Sequence, residues 1–161
     1  MANTYNARAS VILETLFTAG QLGQIKPQLT FNKGLLQGTG DWQHNKIFVQ
    51  EGSVTSGAPV TLNLTDGSLK DPAGVANVFT KVLWFAMLNE DAAIALTIGG
   101  SASQPWESWI SAGATCPLGP EAVMVHSSKS GFAVGTGTAD KLKIAAASGT
   151  VVYAIALLGQ G

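Results

Sequence analysis

The punctuation of this chain limits its fold more than any other feature. Short apolar or alternating segments are separated by turn residues about every 8–15 positions, a spacing that belongs to antiparallel β folds rather than to βαβ units. Gln28–Leu35 and Pro59–Leu64 alternate polar and apolar residues with period two, as half-buried strands do. Asn45–Gln50, Ala93–Ile98, Ala122–His126, Phe132–Val134, Lys141–Ala145 and Thr150–Leu158 read as further strands. Asp66-Gly67 and Asp71-Pro72-Ala73-Gly74 carry turn chemistry, because Asp bonds its own backbone, Pro pre-sets φ and Gly tolerates positive φ. Ala7–Leu22 fits either a helical face or a strand and turn, and its strand-rich context favours strand. Pro105–Trp109 reads as a loop or a single helical turn.

These segments make about nine or ten strands, and an antiparallel β-sandwich of jelly-roll type accommodates them. The 161 residues suit one domain, with residues 1–10 as a short polar N-terminal arm and residues 11–161 as the sandwich. Phe79–Leu88 and Val151–Leu158 are apolar on both parities. Both therefore read as central strands covered on two faces, or as strands at a subunit contact. Trp84, Phe85, Tyr153 and Ile155 are the candidate interface residues. Trp84 and Phe85 should both be buried, one in the core and one against a second layer or a partner.

Composition narrows function by exclusion. Charged residues are 12% of the chain, about half the usual share, and glycine with hydroxyl and amide side chains takes their place. A net charge of −1 argues against a nucleic-acid binder, which needs clustered Lys and Arg. The longest apolar runs are far shorter than the roughly 20 residues of a membrane span, and no secretory pattern opens the chain. A single cysteine, Cys116, excludes an intrachain disulfide or a Cys-based metal cluster.

The residues offer no catalytic constellation. His44, His126 and Cys116 lack any flanking nucleophile motif, and Gly99-Gly100-Ser101-Ala102-Ser103 misses the last glycine of a nucleophile elbow. Two histidines more than eighty positions apart give no metal-ligand spacing, and Asp66-Gly67-Ser68 with Asp71 lacks the terminal Glu of a calcium loop. No cofactor, metal or catalytic residue is therefore assigned. One aromatic setting stands out. Glu107 lies between Trp106 and Trp109, where a sugar could stack on indole while the carboxylate accepts its hydroxyls; more commonly such tryptophans anchor a loop.

Three stretches add a resemblance. They are Asp66-Gly67-Ser68-Leu69-Lys70-Asp71-Pro72-Ala73-Gly74 with Phe79-Thr80-Lys81-Val82, then Leu96-Thr97-Ile98-Gly99-Gly100, and the ending from Gly131 through Gly137-Thr138-Ala139-Asp140-Lys141-Leu142-Lys143-Ile144 to Gly159. Over about residues 60–159 the chain resembles small virion structural proteins of tailed bacteriophages and prophages. The resemblance implies a non-enzymatic capsid decoration, or cement, protein on the virion surface. It would be a homotrimer that covers seams between major capsid subunits, without nucleic acid or membrane as partner. The alternative is a carbohydrate- or receptor-binding module of a tail or head fibre using Trp106, Glu107 and Trp109.

Overall fold

The computed structural model describes residues 7–14, 17–18, 24–25, 28–101 and 103–161, with side chains from residue 36 onward. Among these residues every regular element is a strand. The chain divides into two compact units, residues 1–37 and 38–161.

In the first unit, β1 (Ala7–Glu14) and β4 (Gln28–Gln37) form an antiparallel ladder from Ala7↔Leu35 to Glu14↔Gln28. Between them β2 (Phe17–Thr18) pairs with β3 (Gln24–Ile25). The ambiguous Ala7–Leu22 segment is thus strand wherever it is described. Of the expected arm, residues 1–6 lie outside the described residues, and Ala7–Ser10 belong to β1. The boundary falls at Gln37/Gly38 rather than at residue 10, because β1 and β4 complete their ladder within residues 1–37.

The second unit is the sandwich. After β5 (Gln43–His44) come β6 (Lys46–Thr55), β7 (Val60–Asn63), β8 (Lys81–Asn89), β9 (Leu96–Gly99), β10 (Thr115–Leu118), β11 (Val123–Ala133), β12 (Lys141–Ala146) and β13 (Thr150–Gln160). Two four-stranded antiparallel sheets form, in the orders β6-β13-β8-β11 and β7-β12-β9-β10. Counted from β6, these are strands 1-8-3-6 and 2-7-4-5, the order of an eight-stranded jelly roll with its two Greek keys. The expected all-β sandwich is the observed fold. The two strands that read as central are the two inner strands of one sheet.

The core lies between the sheets. From β13, Val151, Tyr153, Ile155 and Leu157 point inward, and Phe85 and Met87 join them from β8. They meet Leu62, Leu96, Ile98, Leu118, Leu142 and Ile144 of the other sheet. Loop residues Leu64, Leu69, Phe79, Trp106 and Trp109 close the ends. Asn89 is fully buried and ties three segments together. Its Nδ2 donates to Ile94 O and Gly119 O, both at 2.8 Å, and to Leu118 O at 3.2 Å. At Gly52, opposite Tyr153, a Cβ would stand 2.9 Å from the tyrosine Cζ and Oη, so only glycine lets the ring lie over the strand.

Candidate functional site: an apolar sheet face

The site follows from strand parity. Side chains alternate across a strand, so a strand covered on one face and open on the other separates its residues into two sets. On β13 the odd residues from 151 to 157 enter the core, while Val152, Ala154, Ala156 and Leu158 turn outward. The register carries this division across the sheet. Ala156 pairs with Val49 of β6 and Ala86 of β8, and Ala86 pairs with Val125 of β11. Ala154 pairs with Glu51 and Leu88, and Leu88 pairs with Val123. On the outward face of β6-β13-β8-β11 these two rows are apolar but for one charge, Glu51, with Ser53 beside Val152 and Lys81 beside Gln160 beyond them.

This face is open. Val49, Val123 and Val152 are 59%, 65% and 40% exposed. Small side chains at Ala86, Ala154 and Ala156 leave a shallow groove of about 170 Å³ bounded by Val49 and Val123. Solvent-facing sheet surfaces are normally polar, and a contiguous apolar strip marks a contact site more often than chance exposure does.

The opposite side of the sandwich has the ordinary character. There the outward parity of β7, β12, β9 and β10 carries Thr61, Asn63, Lys141, Lys143, Thr97, Thr115 and Pro117. Lys143 Nζ donates to Gly100 O at 3.3 Å. The two outer faces thus differ in kind.

One end of the apolar face is already covered. Residues 38–45 run as a strap from β6 to β11. Asn45 N donates to Gly159 O, and Trp42 N donates to Lys129 O. Gln160, on the outward parity of β13, donates from Nε2 to Gly40 O at 2.8 Å and Gln43 O at 2.6 Å. The strap therefore lies over the outward side at this end. Trp42 takes positive φ (55°), a conformation that costs energy in a non-glycine residue. Asp41 and Lys129 form an exposed ion pair at 3.3 Å beside it.

The candidate interface residues divide by parity. Phe85, Tyr153 and Ile155 belong to the sandwich core, because each sits on the inward parity of its strand. They are corrected as surface contacts, and the neighbours Ala86, Val152, Ala154 and Ala156 take that place. A shift of one residue moves a side chain to the other face, and an apolar run on both parities does not say which set is inward. Trp84 is on the outward parity, opposite Leu158, and it is buried. Trp84 and Phe85 are thus buried on opposite faces of one strand.

The aromatic loop is also core. Trp106 is fully buried, and its Nε1 donates to Ala133 O at 2.9 Å. Trp109 is 7% exposed and donates from Nε1 to Trp106 O at 3.0 Å. Phe85 meets both edge-on, with ring centroids 5.7 and 5.1 Å away, and His126 lies 5.2 Å from Trp109. Neither indole presents a face for a sugar, so half-buried Glu107 has no stacking platform beside it. Trp106 and Trp109 anchor the loop onto the sandwich.

The remaining chemistry-bearing residues are dispersed. Cys116 Sγ lies 3.5 Å from Met124 Sδ against the core. His44 is buried at the strap. Among the described residues no three His, Cys, Asp or Glu side chains gather as metal ligands would. Also among them, no helix is long and apolar enough to cross a membrane. Among the described residues, Asp66 and Tyr153 titrate away from their usual range. Bonds from Ser68 hold the exposed Asp66 carboxyl low, the Ser68 N to Oδ1 bond being 2.8 Å, and burial pushes the Tyr153 phenol up.

The fold and this face together describe a jelly-roll domain with an exposed apolar sheet face. The chain matches no family model and no curated protein.

Proposed function

We propose that this chain is a structural protomer of a bacteriophage coat, a capsid decoration protein that works by covering surface rather than by chemistry. The observation that carries the reading is the apolar outward face of β6-β13-β8-β11, open at Val49, Val123 and Val152 on a domain whose other outer face is threonine- and lysine-bearing. Such two-sidedness suits a subunit with one side set on neighbours and the other in solvent. The jelly roll supports the reading because its paired sheets hold a rigid, weakly charged surface in place. The resemblance over residues 60–159 supplies the capsid context. Its partners are then copies of itself, expected as a trimer, and the major capsid protein.

Mass spectrometry of purified virions whose genome encodes the chain tests this directly. The polypeptide is expected at a copy number comparable to that of the capsid subunit. Its absence from virions overturns the reading, and a handful of copies moves it to a vertex or tail role.

A further inference from the structure

Besides its apolar face, the sandwich exposes an apolar loop tip between β7 and β8. Pro72–Ala76 are exposed throughout, as is Val78, and Val75 and Val78 are 60% and 42% exposed. None of these residues carries a charge. The loop is nonetheless firmly held. It is a small hairpin closed by the Lys70↔Ala76 bridge and by Asn77 N donating to Leu69 O at 2.8 Å. Inside the tip, Asp71 Oδ1 accepts from Ala73 N and Val75 N at 2.9 and 2.7 Å. Asn77 Nδ2 donates to Ile47 O at 2.6 Å. Strand carbonyls point along the sheet plane, so this bond fixes the loop at β6, an outer strand of its sheet. An apolar tip ordered in advance loses little further freedom when it docks.

We infer that the groove on the apolar face receives this tip from a second copy, and that the contact repeats head-to-tail around a three-fold axis. The groove is floored by Ala86, Ala154 and Ala156 and bounded by Val49 and Val123, a shape that takes small branched side chains such as Val75. Charge fits as well. Glu51 is the one charge in the two rows and is exposed. Lys70, exposed opposite Ala76, is the cation of the tip, while the Asp71 carboxylate is turned into its own backbone. Seating the tip brings unlike charges together at the rim. The tip stands at the edge of the sheet and the groove lies on its face, so the contact joins two different patches. Such a heterologous contact turns each copy relative to the last and closes as a ring, and the smallest such ring is the trimer expected above. Each copy gives its tip to one neighbour and its groove to the other. Two contacts, each on the order of a few hundred Å², therefore hold every copy. This inference rests on the face being a contact surface, as the proposed function has it, and names what seats on it.

Cross-linking and sedimentation test it on the full chain. In a Cys116→Ser background, the double variant Val75→Cys with Ala156→Cys should on oxidation give covalent species that end at three chains. Neither single variant should link to itself, and a mixture of the two singles should give covalent pairs and nothing larger. Thr97→Cys, on the opposite outer face, should not link to Val75→Cys. By sedimentation equilibrium over a concentration series, Val75→Asp should weaken assembly at least about tenfold, because it sets a carboxylate in an apolar groove. Val75 is exposed, so circular dichroism should show the fold unchanged. Glu51→Lys should also weaken assembly, and adding Lys70→Glu should recover most of the loss. A chain that stays monomeric at all concentrations, or that assembles unmoved by Val75→Asp, overturns the inference. So does a cross-link through Ala156→Cys alone, which would set face on face, or an assembly that stops at two chains. If the polypeptide is still abundant on virions, the failure belongs to the tip-in-groove contact and not to the coat reading.

Discussion

Truncating Trp106 to alanine tests whether the aromatic loop is an anchor. The indole is fully buried, packs edge-on against Phe85 and donates a 2.9 Å bond to Ala133 O. Removing it forfeits the transfer free energy of a large aromatic and leaves a cavity, which together cost about 3–5 kcal/mol. That is a large part of the roughly 5–15 kcal/mol by which a domain is stable. Trp106→Phe separates the contributions. A smaller aromatic ring remains and the indole bond is lost, but Ala133 O still accepts from Ser108 Oγ at 2.6 Å, so no carbonyl is orphaned. The expected cost is then about 1–2 kcal/mol. Urea titration followed by circular dichroism and by fluorescence of the other tryptophans gives both numbers, with coincident transitions confirming a two-state comparison. A loss under about 1 kcal/mol for Trp106→Ala, with an unchanged slope, would refute the anchor argument.

Other outcomes follow from the same packing. Asn89→Ala should cost about 2–4 kcal/mol, since three carbonyls lose a buried donor; a midpoint within error of the parent would contradict that role. Gly52→Ala should cost about 1–3 kcal/mol by pressing a methyl into the Tyr153 ring, and thermal melting reads it. Burial raises the Tyr153 pKa in the folded chain. The stability it confers is therefore complete below the unfolded value near 10.0 and is lost as pH rises through the folded value. Tyr153→Phe should flatten that alkaline decline, and an unchanged slope would show that another group causes it.

The strands were legible because period-two alternation and turn residues are local signals. Gln28–Leu35, Pro59–Leu64, Lys141–Ala145 and Thr150–Leu158 all fall on observed strands. β10 escaped notice: its four residues contain Pro117, which argues against a central strand, and β10 is an edge strand. Ala122–His126 and Phe132–Val134 read as two strands, yet β11 spans most of both through an irregularity between Ser127 and Phe132. The boundary at Gln37/Gly38 carried no compositional signal, because strands on both sides use similar residues.

By itself the sequence determined that the chain is all-β, that Phe79–Leu88 and Val151–Leu158 are its most enclosed strands, and that charge is scarce. Those properties reside in short windows, where the size and polarity of neighbouring side chains suffice. Tertiary structure decided which parity of those strands is core. It turned Tyr153 and Ile155 inward and Ala154 and Ala156 outward, and it packed Trp106 and Trp109 under a loop. The physical reason is that a strand's two faces are chemically interchangeable until a second sheet covers one of them. Only the jelly-roll order brings Val49, Ala86, Val123 and Ala156, from four separate strands, onto the face that was left open.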